Sequence, residues 1–300
     1  MNQKGLNIFQ KNAEKLVVIS TIAGSSSVVF IRLAETNQMA MGFYRLGFAV
    51  LLFAVPIIAG GYKNYKGLKA KDFLYCVTAG FLQFCHFFCW FTAVKNTSIA
   101  SATILFSLHP LILLFITVIF LKQRISRKSI AGILTALLGC AIIAGFDYSL
   151  VESHTAGNAA AFAAALFFAG YFLVGRAMRV KIPAVNYIFI VFGSCWLFFT
   201  AAMFITETPF FGYRGEDYLW LFIMAVVCQG IAHALYNWCM GYVSPLYVSV
   251  WVTMESVVAV VFGAVVFREF PAVWQYIGGM IAIFGLLYYN YIEAKQGEFA

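Results

Sequence analysis

Long apolar runs separated by short polar intervals dominate the 300-residue chain. Ten runs are long enough to cross a hydrocarbon layer about 30 Å thick as helices rising about 1.5 Å per residue. They cover about 16–34, 38–59, 72–94, 97–121, 128–146, 157–178, 184–206, 217–240, 244–268 and 271–292. A chain in lipid has to satisfy its backbone internally, and runs of this length do so as helices. The pattern predicts an all-α integral membrane protein with ten transmembrane helices. The intervals leave no room for an extramembrane catalytic domain, so any activity resides in the bundle.

Laid against itself at an offset of 146 residues without a gap, the chain pairs Gly24 with Gly170, Val28 with Val174, and Gly47 with Gly193. The pairing continues through Ala79 with Ala225, Gln83 with Gln229, Ser98 with Ser244, Gly132 with Gly278 and Gly139 with Gly285. Every span of the first half overlays one of the second. Because each half holds an odd number of spans, the second half enters the membrane the other way up. The sequence thus predicts two inverted five-helix repeats, at 16–146 and 157–292, behind an amino-terminal segment at 1–15.

Composition agrees with this reading. The chain is 63% hydrophobic and 11% charged, with a mean hydropathy of +0.87, values that exclude a soluble globular domain. A net charge of +8 would suggest nucleic acid in a soluble protein. Here the basic residues cluster between spans, as Lys4, Lys11 and Lys15, then Lys63, Lys66, Lys69 and Lys71, then Lys122, Arg124, Arg127 and Lys128, and finally Arg176, Arg179 and Lys181. Asp147, Glu152, Glu207, Glu216 and Asp217 fall in the alternate intervals. This positive-inside pattern predicts cytoplasmic termini and removes nucleic acid as a partner. The first run lacks a small-residue cleavage site and reads as a retained helix. The seven cysteines lie within spans as small apolar residues; Cys85 and Cys89 flank His86 without a matching ligand set, so no metal or cofactor is expected.

Against this background Glu255 stands out. It lies eleven residues beyond Ser244, roughly 16 Å into its span, where a charged acid costs on the order of 2.5–3.5 kcal/mol. Such a group should face a protein interior or an aqueous cavity. The 146-residue offset pairs Glu255 with His109, and Gln83 with Gln229, which sets four polar side chains near half depth in two related pairs. Glu255 and His109 could bind a substrate or a proton, and the two glutamines could orient it. Arg45, a third of the way into the second span, is either a substrate contact or the permanent partner of Glu255. His109 precedes Pro110, which predicts a bend at a hinge or pocket wall. Tyr44, Tyr171 and Trp251, with Trp90 and Tyr236, are candidate cavity walls. His86 and His233 read as packing or vestibule residues, and Ser25, Ser26 and Ser27 as close-packing small residues.

These residues describe a carrier better than an enzyme. Asp72, Asp147 and Asp217 lie at span ends, and no H-E-x-x-H motif, nucleotide-binding loop or serine with a convincing base is present. A secondary transporter of a small polar metabolite and a passive facilitator or channel are the remaining classes.

FYRLGFAVLLF in the second span, SIASATILFSLHPLILLFITVIFLKQRIS in the fourth and SPLYVSVWVTMESVVAVVFGAVVFREF in the ninth resemble the EamA-type members of the drug/metabolite transporter superfamily. The resemblance runs from about Leu16 to Tyr291. Arg45 and Pro110 match residues that the family favours, and Glu269 matches the acid that closes the ninth span. Gln123 stands where the corresponding first-repeat acid would be, and Ser256 replaces the proline that commonly follows the position of Glu255. The resemblance implies a carrier of the bacterial cytoplasmic membrane, commonly an exporter of amino acids or related metabolites, working by alternating access. Small-molecule substrate, lipid and a coupling proton are the partners it suggests; it leaves the oligomeric state open.

Overall fold

A computed structural model describes residues 3–97, 99–120, 122–145, 155–268 and 273–296; Ser98, Asp147, Glu152 and Glu269 lie outside them. All regular secondary structure among the described residues is helical. In chain order the helices are α1 (Gln3–Ser25), α2 (Ser27–Leu33), α3 (Gln38–Ile58), α4 (Ala70–Asn96), α5 (Ile99–Phe106), α6 (His109–Ile119) and α7 (Arg127–Gly145). They continue as α8 (Thr155–Arg179), α9 (Ala184–Ile205), α10 (Gly215–Met224), α11 (Ala234–Cys239), α12 (Pro245–Val252), α13 (Glu255–Phe267) and α14 (Val273–Gln296). A π-helical stretch, Ala225–His233, joins α10 to α11.

Among the described residues, seven stretches are long and apolar enough to cross a membrane: Asn12–Leu33, Gln38–Ile58, Ala70–Asn96, Thr155–Arg179, Ala184–Ile205, Gly215–Cys239 and Pro245–Phe267. His109–Ile119 and Tyr276–Ile292 are shorter apolar helices. Large apolar side chains such as Ile58, Val55, Phe204 and Val265 are exposed around the bundle, as a lipid-facing surface requires.

The first, fourth and ninth predicted spans are interrupted, a feature hydropathy does not register. Between α1 and α2, Ser26 turns its hydroxyl back onto the Ala23 carbonyl at 2.7 Å, and Ser25 bonds that of Thr21 at 2.7 Å; such back-bonding bends membrane helices. Between α5 and α6, Pro110 has no N–H for the Phe106 carbonyl. His109 Nδ1 donates to that oxygen at 2.8 Å instead. The interruption between α12 and α13 falls at the same register, 146 residues on, with Ser256 in the place of Pro110. Tight turns close it, Met254 N–H bonding Trp251 O at 3.0 Å and Ser256 N–H bonding Thr253 O at 3.2 Å. A hydrogen bond of 2.7 Å between the Ser107 and Ser256 hydroxyls ties the two interruptions together.

Packing sorts the helices into a central group and a flanking pair. α4 runs between α8 and α9, α3 lies on α9, and α1 lies on the π-helical stretch and α13. α7 and α14 pack closely on each other. Their crossing depends on small residues: a Cβ added at Gly139 would sit 2.3 Å from the Ala282 nitrogen, and one at Gly285 would sit 2.3 Å from the Ala136 nitrogen. These two contacts interchange under the 146-residue offset.

Candidate functional site

α1 to α5, α8, the π-helical stretch, α11 and α13 line a polar cavity in the central group. Its volume is about 20 Å³, room for roughly one water molecule. Arg45, His86, His233, Tyr236 and Glu255 supply its polar wall, with Gly24, Ser27 and Cys228 beside them. Phe87, Trp90, Phe106 and Phe168 form the aromatic wall.

Glu255 is the first residue of α13, a helix end whose dipole favours an anion. Tyr236 Oη donates to its Oε1 at 2.9 Å. Gly24 makes the space for this carboxylate, since a Cβ there would lie 2.3 Å from Oε1. Arg45, almost wholly buried in α3, donates through Nε to Gln229 Oε1 at 3.1 Å and packs its guanidinium 4.2 Å from the centre of the Phe87 ring. Among the described residues no ion pair joins Arg45 to Glu255, so the purely structural pairing of the two is not what holds either in place.

The two histidines are oriented differently. His86 Nδ1–H donates to the Ala164 carbonyl at 3.0 Å, which leaves Nε2 as its second ring nitrogen for other partners. His233 Nδ1 faces the Gln83 amide nitrogen at 3.5 Å. The π-helical stretch carries Cys228, Gln229 and His233; the wider turn aims these side chains away from the register a continuous α-helix would give, a distortion frequent at functional sites.

Of the residues singled out from sequence, Glu255 and Arg45 line the cavity itself. Gln229 and Gln83 stand one layer behind it, each bonded to a lining residue. Gln229 Nε2, Gln83 Oε1 and His109 Nε2 are buried without a hydrogen-bond partner. His109 lies behind Phe106, stacked on it at 4.7 Å, and meets Phe168 edge-on at 5.0 Å. Among the described residues no hydrogen bond or ion pair joins it to Glu255. Tyr171 is buried with its hydroxyl on the Asn237 amide. Trp251 is half-buried away from the cavity. Tyr44 belongs to an aromatic cluster with Tyr213 and Tyr218, its hydroxyl on the Phe210 carbonyl.

Trp90 and Tyr236, expected as cavity walls, line it; His86 and His233, read from sequence as packing or vestibule residues, line it too. A signal for His233 is present in the sequence. Phe87 and His233 are related by the 146-residue offset, as are Trp90 and Tyr236, and all four line the cavity. They follow Gln83 and Gln229 by four and seven residues, the same helix face one and two turns on. The face of the helix, and not depth along it, is the cue that picks out these lining residues.

At one end of the bundle Arg214 bridges Glu35 at 3.1 Å and Asp217 at 3.0 Å, and Asp217 accepts the Glu35 backbone N–H at 2.9 Å. The bond from Asp217 holds the Arg214 proton more firmly than usual. At the other end Arg176 bonds the Met240 carbonyl at 2.7 Å, Arg179 that of Asn237 at 2.8 Å, and Lys181 pairs with Asp72 at 3.0 Å.

An all-helical bundle with a small polar cavity and apolar flanks is the architecture of an integral membrane protein. The family model of the EamA-like transporter family matches residues 12–145 and again 155–291, and the chain belongs to that family. It is a multi-pass membrane transporter. An uncharacterized transporter, YxxF, of Bacillus subtilis (strain 168) is 23% identical over 279 residues, 90% of this chain and 86% of that one. An uncharacterized transporter of Archaeoglobus fulgidus is 22% identical over 281 residues, 91% of this chain and 94% of that one. A solved crystal structure shares the fold with a TM-score of 0.74 at 16% identity, covering 98% of this chain and 99% of the other.

Proposed function

We propose that this transporter is a secondary carrier that exports an amino acid or a related small polar metabolite across the bacterial cytoplasmic membrane by alternating access. The observation that carries the reading is that Glu255 and Arg45 line one small cavity with no ion pair between them. An unpaired acid and an unpaired base across a small space complement the amine and carboxylate of a zwitterion. Glu255 takes the amine or, in its absence, a coupling proton; Arg45 takes the carboxylate. Gln229 fixes the guanidinium, Gln83 fixes His233, and Tyr236 orients the Glu255 carboxylate. His109 acts from behind Phe106, so its contribution is to the shape of the wall.

The cavity has to enlarge before any metabolite fits, which is what a carrier closed at both ends would need to do. Arg214 with Glu35 and Asp217 would secure one end, and Arg176 and Arg179 the other. We further propose ten crossings in two inverted five-helix units, 16–146 and 157–292, with the segment 1–15 and both termini in the cytoplasm. The shared register of the α5–α6 and α12–α13 interruptions and the interchange of the Gly139 and Gly285 contacts support this arrangement.

Transport of labelled amino acids in proteoliposomes tests the reading. Substrate preloaded on the far side should accelerate uptake by the native protein, and Glu255→Gln should abolish the pH dependence of net flux. A native protein without acceleration by internal substrate would be a facilitator or channel, and unchanged flux and pH profile in Glu255→Gln would remove the carboxylate from the mechanism.

A further inference from the structure

A second cavity, of about 730 Å³, opens on the flank of the bundle between α4 and α9. Phe73, Val77, Ile190 and Leu197 wall it, Gly193 forms part of its floor, and Lys69 stands at its mouth. We propose that this groove binds an anionic phospholipid, with one acyl chain along the α4–α9 seam and the phosphate on Lys69 and its neighbour Lys66.

The chemistry of the lining excludes a polar solute. The Ser194 hydroxyl donates to the Ile190 carbonyl of its own helix at 2.8 Å, and the Tyr65 hydroxyl donates to the Asn186 carbonyl at 3.3 Å, so both spend their hydrogen on the protein. What the groove offers along its length is apolar surface. Phe73 and Leu197 are more than half exposed, which opens it sideways to the hydrocarbon and not to a central path.

Leu197, on its wall, lies thirteen residues into α9, roughly 20 Å, so the groove runs from the basic end past the middle of a hydrocarbon layer about 30 Å thick, a path for an acyl chain. Gly193 makes the groove a feature of this sequence, because a Cβ there would meet nothing within 4 Å, leaving open a space that a larger residue would fill. Its 146-residue counterpart Gly47 lines a smaller apolar pocket of about 290 Å³, with Trp196 Nε1 3.0 Å from an added Cβ. The two related glycines therefore differ in free space, and the larger groove is the one beside basic residues.

Charge selects the headgroup. Lys63, Lys66, Lys69 and Lys71 fall in one short stretch and are exposed, while Asp72, the acid of the same turn, is paired with Lys181 at 3.0 Å. Basic clusters next to a membrane span attract anionic lipid.

Native mass spectrometry of the full-length protein, released from micelles containing phosphatidylglycerol or phosphatidylcholine of the same chain length, reads this site. Phosphatidylglycerol should be retained over phosphatidylcholine. Lys69→Gln should lower its retention about fivefold, the weight of one lysine at an anionic surface, and leave phosphatidylcholine unchanged. Gly193→Leu should remove retention while thermal unfolding followed by circular dichroism stays native-like; Leu197→Trp, at a position 60% exposed, fills the same space if that variant folds poorly. Equal retention of the two lipids by the native protein overturns the proposal. So does undiminished phosphatidylglycerol retention in Lys69→Gln or in a folded groove-filling variant.

Discussion

Around Ser107–Leu108 and around Thr253–Met254 the backbone is interrupted at one shared register, with different groups sustaining each interruption. In the first, Pro110 withholds an N–H from the Phe106 carbonyl and His109 Nδ1 supplies one at 2.8 Å. In the second no proline is present, and Ser256 takes its place, its hydroxyl on Ser107 Oγ at 2.7 Å and on the Thr103 carbonyl at 3.2 Å. His109 is thereby turned into aromatic packing, and Glu255, at the corresponding position, into a cavity that Gly24 keeps open. Shared backbone geometry fixes where a special residue can stand. The neighbours decide whether it serves the frame or the site.

The largest expected effect separates these two roles. Glu255→Gln should lower amino-acid transport in proteoliposomes about 100-fold, in line with roughly 2–5 kcal/mol for removing one partner of a buried charged contact, and should leave the melting temperature in detergent close to native. His109→Ala should do the reverse. It strips the Phe106 carbonyl of its donor and should destabilise by about 1–3 kcal/mol, with transport of the folded fraction within a few-fold of native. Equal transport loss in both variants would return His109 to the binding site and erase the distinction.

A second comparison has no functional half. Gly139→Leu and Gly285→Leu each drive a side chain into the backbone of the partner helix at an initial separation of 2.3 Å. Each should lower stability by about 1–3 kcal/mol or more, and by similar amounts, as read from thermal melts. A large inequality between them would show that the α7–α14 crossing does not carry the symmetry that its contacts suggest.

How much of this was legible beforehand depends on what hydropathy can see. The span boundaries were legible: the sixth run, read as 157–178, is helical over Thr155–Arg179, and the seventh, read as 184–206, over Ala184–Ile205. The unusual burden of Glu255 was legible too, because a midplane acid is rare on energetic grounds. The interruption at Thr253–Met254 was not, since neither Thr253 nor Met254 breaks a helix and Ser107, the stabilising partner of Ser256, is 149 residues from it in the chain. The first helix begins at Gln3, well before the apolar run at 16, because polar residues extend a helix beyond the hydrocarbon without penalty. His86 and His233 escaped because depth was used without azimuth; a lipid-embedded helix is apolar on nearly every face, so periodicity says little about which face turns inward. The spacing of Phe87, Trp90, His233 and Tyr236 from the two glutamines was the available cue.

Pro110→Ala should have the smallest effect and bears most directly on the two interruptions. If proline alone set the first one, alanine would let its N–H bond the Phe106 carbonyl, α5 and α6 would merge, and His109 Nδ1 would lose its acceptor. The second interruption persists without proline, and the Ser107–Ser256 bond joins both. We therefore expect α6 still to start at His109 in Pro110→Ala, with a stability change under about 1 kcal/mol, the range typical of proline replacement where the backbone is compatible. Ser256→Ala in the same background should add about 1 kcal/mol of destabilisation by removing the shared hydroxyl bond. A structure of Pro110→Ala with one unbroken helix over 99–119 would assign the first interruption to proline chemistry alone and leave only the second dependent on contact between the two.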